Sequence, residues 1–150
     1  MEAMVYPVPA PSKAAYLTLV GIAVFLAVFA LGFAWLGWSM NRVSVSVTDE
    51  TVELRAPFYG RVILRDSITT SELRVVDLNS EPGLNPGVRT NGVGLPGFLL
   101  GWFRLDNGER ALIAVTDRGR VVYVPYVEGL LLVSVADPAA MLDSLFGGAR

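Results

Sequence analysis

The sequence predicts a mainly β protein in which an N-terminal transmembrane helix is followed by an antiparallel β-barrel or sandwich with one C-terminal capping helix. Three observations support this fold class: an uncharged apolar run at residues 14–40, short period-two apolar segments after residue 42, and one amphipathic segment near the end. They divide the chain into a tail at 1–13, a transmembrane helix at 14–41 and one domain at 42–150.

Composition excludes several kinds of chemistry. The 150 residues include no cysteine and no histidine, which removes disulfides, thiolate nucleophiles, the commonest general base and the commonest metal ligands. A net charge of −2 argues against a broad nucleic-acid interface. We therefore expect no enzymatic activity, no metal, no cofactor and no nucleic-acid partner.

The apolar run is long enough to cross a bilayer. Between Lys13 and Arg42 there is no charged residue, and a spanning helix needs roughly 20 apolar residues. Aromatic side chains suited to the headgroup level lie near its ends: Tyr16, Trp35 and Trp38. A cleaved signal peptide is the alternative, disfavoured because the tail is not basic enough, the run is too long, and no small-residue cleavage site follows.

Charge asymmetry predicts the orientation of the helix. Arginines follow the apolar run closely, whereas the tail before it carries only Lys13 against Glu2. Because positive residues favour the inner side, we expect the N-terminus outside and the domain cytoplasmic, at the cell inner (plasma) membrane.

One face of the predicted helix is lined by small residues: Ala23, Ala27, Ala30 and Ala34. Small side chains let membrane helices approach closely, so this face is a candidate helix–helix interface. The alternative is that alanine is simply common in such helices. The expected partners are membrane lipid and other transmembrane helices, in a homo-oligomer or as a subunit of a larger membrane complex.

The domain begins as strands and ends as a helix. Val43, Val45 and Val47 alternate with small polar residues, and the pattern repeats to Gly60 and through RVILR. Residues 68–78 form one more strand or an irregular segment, and the clearest later strands are at 98–105, 111–116, 120–124 and 130–135. Asp137-Pro138 then supplies an N-cap and a first-turn proline before an apolar helix face.

In this order of elements the chain resembles bacterial pleckstrin-homology (PH) domain membrane proteins. The residues that carry the resemblance lie in RTNGVGLPGFLLGWFRLDNGERALIAVTDRGRVVYVPY, and it extends over about residues 43–146. It implies two near-orthogonal sheets, a capping helix and no catalysis. Phosphoinositide-binding PH domains carry basic residues around the first hairpin, but here that turn is Thr48-Asp49-Glu50-Thr51, which would repel a phosphate headgroup.

A glycine- and proline-rich segment, residues 79–97, reads as a long connection. Its candidate binding residues are Arg89, Thr90, Asn91, Gly92, Gly94, Pro96 and Gly97. Two interpretations are open: the glycines cradle a phosphate with Arg89 as the anion partner, or they supply positive φ angles in a tight turn. The spacing matches neither a P-loop nor a dinucleotide fingerprint.

Two further surfaces are candidates for contact. The predicted strand 98–105 is apolar on both faces, so either the helix or the long connection covers one of them, or the residues Phe98, Leu100 and Trp102 form a partner surface.

The second surface is the turn after the second strand, which returns toward the bilayer because the first strand starts there. Its expected lipid-facing residues are Arg42, Arg55, Phe58, Tyr59 and Arg61, with an ordinary hairpin and a buried Phe58 as the alternative.

From these features we expect a non-enzymatic single-pass membrane protein acting as a scaffold or accessory subunit. The alternative is a peripheral sensor of anionic lipid that uses the aromatic and arginine-rich turn.

Overall fold

A computed structural model describes residues 10–40 and 42–147. The chain divides after Asn41 into two compact units. The first described element is α1, Lys13–Met40, so most of the predicted tail at 1–13 lies outside the described residues. Ser12 caps its start by accepting a hydrogen bond from the Ala15 amide at 3.3 Å.

Helix α1 has the length and the apolar surface that a membrane span requires. The span Lys13–Trp38 is 26 residues long, and none of it is buried inside the protein. Its aromatic side chains pack along the helix, with the Phe25 and Phe29 rings 4.7 Å apart. An apolar surface of this size needs lipid or other helices around it.

Between residues 42 and 147 the second unit forms nine strands and a C-terminal helix. Their bounds are β1 Ser44–Val47, β2 Thr51–Arg55, β3 Arg61–Leu64, β4 Arg74–Val76, β5 Pro86–Leu95, β6 Phe98–Leu105, β7 Arg110–Val115, β8 Val121–Tyr126, β9 Gly129–Val133 and α2 Pro138–Gly147. One sheet has the order β1-β2-β3 and the other β4-β8-β9-β7-β6-β5. Both sheets are open, so the mainly β prediction is confirmed in its sandwich form rather than as a closed barrel.

One strand pair departs from the predicted antiparallel order, because β7 and β9 are parallel. The connection 116–120 passes across the end of β9 before β8 begins, and β9 then inserts between β7 and β8. Ser134 holds the crossing in place: its hydroxyl donates to the Asp117 carbonyl at 2.8 Å and accepts from the Asp117 amide at 3.2 Å. The turn residues at 117–119 thus join strands that are not neighbours in the sheet.

The first core lies between the two sheets and α2. Its fully or nearly buried side chains include Val52, Leu54, Leu112, Val122, Val124, Leu131, Val133, Met141 and Leu145. As predicted, α2 starts after Asp137, whose carboxylate accepts the Ala140 amide at 3.0 Å.

Arg65 fixes the other end of α2. Its guanidinium donates to the carbonyls of Ser144 and Leu145, both at 2.7 Å, and to the Thr48 carbonyl at 2.9 Å. The Ser144 and Leu145 carbonyls belong to the last turn of α2, where no i+4 amide lies within Pro138–Gly147, so a guanidinium is a suitable cap. The contact ties α2 to the β1–β2 turn.

The second core lies on the opposite face of the six-stranded sheet. Residues 77–85 lead from β4 at one edge toward β5 at the other, and they bury Leu78 and Leu84 against this face. The Leu78 amide donates to the Arg118 carbonyl at 2.8 Å, and the Asp106 amide donates to the Asn85 carbonyl at 3.1 Å. Both faces of the sheet are therefore covered, one of them by part of the predicted long connection.

The rest of that predicted connection is a strand, so reading all of residues 79–97 as a loop was wrong. Strand β5 pairs with β6, and Pro96-Gly97 forms the two-residue turn with φ 74° at Gly97. The β5–β6 register shifts twice, between Pro86 and Val88 and between Arg89 and Asn91. Glycine and proline have low strand propensity, which hid the strand from the sequence pattern.

Candidate functional site

Contacts between the two sheets bring several predicted site residues together at one end of the sandwich. We call it the basal end and define it by the β2–β3 turn at 56–60, the β8–β9 turn at 127–128, and Arg110. The Arg61–Glu128 ion pair joins the two turns. Because Ser44 pairs with Arg55, strand β1 also begins at this end.

Phe58 projects from the basal end into solvent. Its side chain is 85% exposed, and its φ of 64° lies in the left-handed region. That conformation costs a residue with a Cβ roughly 1–2 kcal/mol. The expectation of an outward aromatic at this turn therefore fits Phe58 better than the alternative of a buried one.

Tyr59 points the other way. Its hydroxyl donates to the Asn91 side-chain oxygen at 3.0 Å, and its ring packs over the β5–β6 hairpin at Gly101. A Cβ on Gly101 would lie 3.2 Å from the Tyr59 ring, and one on Gly92 would overlap the Leu100 carbonyl oxygen. The glycines at 92 and 101 thus serve close packing of the hairpin under Tyr59.

Three arginines lie around this turn, and they differ in exposure and in ion-pair partner. Arg42 is exposed, and Arg55 is exposed and bound to Glu53 at 2.8 Å. The hydrogen bond from Arg55 holds the pKa of Glu53 below its ordinary value, and the same bond raises the pKa of Arg55. Arg61 is more enclosed, because it pairs with Glu128 and lies over the rings of Trp102 and Tyr126.

The predicted partner surface on β6 is mostly covered. Leu100 is only 4% exposed within the first core, and Phe98 and Trp102 are half-buried against that core. The guanidinium of Arg110 lies 4.4 Å from the centre of the Trp102 ring and shields part of it.

Sequence reasoning missed a set of exposed aliphatic side chains along β3 and the β8–β9 turn: Val62, Leu64 and Val127. Val62 is 59% exposed, Leu64 62% and Val127 83%. With Asp66 and Glu128 they line an open groove of about 450 Å³, which we call the β3 groove. The run RVILR is apolar throughout, so its pattern cannot tell which side chains face outward.

The other candidate residues of the predicted connection lie along the outer strand β5. Thr90 donates to the Trp102 carbonyl at 2.9 Å, and Arg89 is exposed with its guanidinium near Gly94. Of the glycines at 92, 94 and 97, Gly97 has a positive φ. The arrangement accords with the interpretation in which glycines serve the hairpin.

The remaining predictions concern the small-residue face of α1 and metal binding. The four alanines of the small-residue face are all exposed on α1: Ala23, Ala27, Ala30 and Ala34. Within residues 10–40 and 42–147, no group of three or more aspartate or glutamate residues is arranged to hold a metal ion.

Comparison with known proteins assigns a family. The family model described as bacterial PH domain matches residues 43–147. No curated protein and no solved structure matches the chain.

Proposed function

The chain belongs to the bacterial PH domain family, and on that premise we propose that it acts without catalysis, as a membrane-anchored scaffold or accessory subunit of a membrane protein assembly. Helix α1 would be the anchor, and the domain would present a surface to a partner. The observation that carries this proposal is the β3 groove.

The β3 groove has the properties of a surface for an extended chain. Strand β3 is an edge of its sheet, so another strand can pair along its outer side, up to Leu64, whose carbonyl already accepts the Ser67 hydroxyl at 2.6 Å. The exposed side chains beside that edge, Val62 and Leu64, are aliphatic, and Val127 faces them across the groove. We propose that an extended, aliphatic segment of the partner protein adds to this edge.

A double substitution tests the groove. Full-length protein would be extracted from its native membrane into lipid nanodiscs and studied by native mass spectrometry. We expect a discrete complex for the natural sequence and its loss for Val62→Lys with Leu64→Lys. Val88→Lys is the matched control, because Val88 is a 69% exposed valine on the edge strand of the other sheet. A monomer carrying only lipid would contradict the scaffold proposal.

Contacts within the bilayer are a second part of this proposal. The alanine face would pack against another helix, while Phe25, Phe29 and Phe33 lie on a different face. Photoreactive residues at Ala27 and Phe29 test the assignment. We expect protein crosslinks mainly from position 27, and equal yields from both positions would contradict it.

A second candidate function is contact with anionic lipid through the β2–β3 turn, favoured by the exposure of Phe58. Only three residues separate Met40 of α1 from Ser44 of β1, so the covalent chain limits that gap to about 14 Å in any orientation of helix and domain. Ser44 pairs with Arg55, which directly precedes the turn. An exposed aromatic flanked by arginines suits an anionic interface.

A photoreactive phenylalanine analogue at Phe58 tests this contact in nanodiscs. We expect it to crosslink lipid, and the same analogue at Asp49, in the turn at the other end of β1 and β2, to crosslink little. In anionic nanodiscs Arg55→Gln should lower the yield, whereas Arg74→Gln, another exposed ion-paired arginine, should not. Equal lipid yields at positions 58 and 49 would refute the proposal.

The location and orientation are also proposals. We propose that α1 is a single span in the inner (plasma) membrane with its N-terminus outside and the domain cytoplasmic. Because the chain has no cysteine, Ser12→Cys and Asp49→Cys each create a unique label site. In intact cells a membrane-impermeant maleimide should label only position 12, and labelling of position 49 would reverse the orientation.

A further inference from the structure

The β2–β3 turn and the strands that it joins line an open cavity of about 430 Å³, which we call the arginine cavity. Its charged lining residues are Arg42, Glu53, Arg55 and Arg61. All of them belong to the second unit, which begins at Arg42. Small-molecule sites measure about 300–1,000 Å³, so the arginine cavity has room for a ligand group.

The charges around the arginine cavity do not cancel. Three guanidinium groups line it against a single carboxylate, that of Glu53. A second carboxylate, that of Glu128, pairs with Arg61 from outside the cavity. With both carboxylates counted, one positive charge remains in excess, so the cavity attracts an anion.

Two of these arginines also have hydrogen-bond donors to spare. Arg55 donates from one terminal nitrogen to Glu53 at 2.8 Å, and Arg61 donates from one to Glu128. A guanidinium group carries five N–H donors in a planar fork. Among the described residues, the other donors of Arg55 and Arg61 meet no acceptor. A phosphate, with several acceptor oxygens, matches donors of this geometry.

Arg42 brings the arginine cavity close to the end of α1. It follows Met40, the last residue of α1, by two positions, so their Cα atoms lie within about 8 Å in any orientation of helix and domain. That distance is comparable with the headgroup layer of a bilayer, which is roughly 5–7 Å thick on each side. If α1 spans a membrane, a phospholipid phosphate is therefore within reach of Arg42.

We propose that the arginine cavity binds the phosphate of one anionic molecule. The phosphate oxygens accept hydrogen bonds from Arg55 and Arg61, and Arg42 adds a third positive charge. The phosphate belongs either to a phospholipid headgroup or to a soluble phosphate compound. The position of Arg42 favours the headgroup, an assignment that rests on the proposed contact of the β2–β3 turn with anionic lipid. Because the cavity is defined, binding saturates at one lipid per protein, whereas diffuse attraction does not.

Trp102 provides the readout, because the guanidinium carbon of Arg61 lies 5.7 Å from the centre of its ring. In full-length protein carrying Trp35→Phe and Trp38→Phe, Trp102 is the remaining tryptophan. Phosphatidylcholine nanodiscs with increasing phosphatidylglycerol should give a saturable fluorescence change, and native mass spectrometry should show one retained phosphatidylglycerol. Loss of a charge-assisted hydrogen bond in Arg55→Gln should weaken this binding about 10-fold or more.

Two matched comparisons separate the cavity from diffuse attraction and from structural effects. Arg104, which pairs with the basal Arg110, lies outside the cavity, so Arg104→Gln should weaken binding much less than Arg55→Gln. Glu53→Gln frees Arg55 and removes a negative charge from the cavity, so it should strengthen binding several-fold. Glu81→Gln breaks the other exposed ion pair in the same way and should not change the affinity. A merely structural role for Glu53 would give no gain.

A second arm decides the source of the phosphate. Inorganic phosphate is added to neutral phosphatidylcholine nanodiscs, with sodium chloride at equal ionic strength as the control. A saturable response only to phosphatidylglycerol assigns a headgroup, and a saturable response to inorganic phosphate assigns a soluble compound. Absence of both responses, or equal weakening by Arg104→Gln and Arg55→Gln, would overturn the proposed site.

Lipid crosslinking at Phe58 separates this inference from the lipid contact on which the headgroup assignment rests. Crosslinking at Phe58 without saturable binding would mean that the turn contacts lipid and that the arginine cavity is not a phosphate site. Loss of both signals would contradict both proposals.

Discussion

Replacing Phe58 by glycine should stabilise the domain and at the same time remove the proposed contact between the Phe58 ring and lipid. The φ of 64° costs phenylalanine about 1–2 kcal/mol, and glycine avoids that cost but loses roughly 0.5–1 kcal/mol through the greater freedom of the unfolded chain. The ring is 85% exposed, so its removal takes little from the core. The net expectation lies between about 0 and 1.5 kcal/mol, with a midpoint gain of about 0.75 kcal/mol, or roughly 3–6 °C in melting temperature.

Phe58→Ala is the matched control, because it removes the ring but keeps the strained backbone. Stability would be measured by urea unfolding of the full-length protein in nanodiscs, in a background carrying Trp35→Phe and Trp38→Phe so that Trp102 is the remaining tryptophan reporter. Lipid contact would be measured with a fluorophore on a cysteine introduced at Gly60, the last residue of the turn, through its quenching by nitroxide-labelled lipid. Both variants should lose lipid contact, because full burial of a phenylalanine ring contributes about 1.5–3 kcal/mol to transfer from water to an apolar phase. Phe58→Gly should be the more stable of the two, and equal stabilities would refute the strain argument.

Three other substitutions test the packing and the buried tyrosine. Arg65→Ala should lower the free energy of unfolding by about 1–3 kcal/mol in urea titrations because it removes the cap of α2, whereas the exposed ion pair of Arg74 should contribute under about 1 kcal/mol. Gly92→Ala should destabilise by roughly 2 kcal/mol or more through backbone overlap, and Gly83→Ala, whose Cβ would meet only the Asn107 Cβ at an ordinary 3.8 Å, should not; equal melting temperatures would contradict this. Burial raises the pKa of Tyr126, so its contribution to stability is present below about pH 10 and declines as pH rises toward the folded-state pKa. Urea unfolding at pH 9 and pH 11 should therefore show a smaller decrease in the free energy of unfolding for Tyr126→Phe than for the natural sequence. Identical decreases would mean that ionisation of Tyr126 does not cause the loss of stability.

The elements that the sequence predicted well are those with a local signal. Helix α1 follows from an uncharged run, and α2 follows from Asp137-Pro138 and an apolar face, so neither depends on distant contacts. Strand β5 was missed because glycines weaken its strand signal, and the reason for Gly92, the close approach of the β6 backbone at Leu100, is a tertiary contact that the local pattern does not show. The insertion of β9 was missed because strands next to each other in sequence usually pair.

The candidate site also depends on contacts between residues distant in sequence, which local patterns do not predict. Phe58 and Tyr59 are adjacent aromatics, and only the tertiary packing of Tyr59 on Gly101 separates the outward side chain from the inward one. Likewise, the apolar face of β6 was a correct sign of burial, but the three-stranded sheet covers it rather than a partner. Val62 and Leu64 are exposed because they alternate with buried Ile63 and so lie on the outer face of the three-stranded sheet, and a run that is apolar throughout does not encode which face turns outward.

Because both cores are packed, only a few surfaces of the domain are candidates for binding a partner. A sheet that is apolar on both faces would normally suggest a missing layer, yet residues 77–85 cover the second face and bury Leu78 and Leu84 to within a few per cent. Within residues 42–147, therefore, no large apolar sheet face is left uncovered and in need of a partner for stability. The domain's exposed apolar side chains lie at positions where they add little to the free energy of unfolding. They include Phe58 in a strained turn, and Val62, Leu64 and Val127 beside an unpaired strand edge. Side chains that add little to folding and cost solubility are better explained by contacts made outside the domain, which is why the basal end and the β3 groove are the surfaces to test.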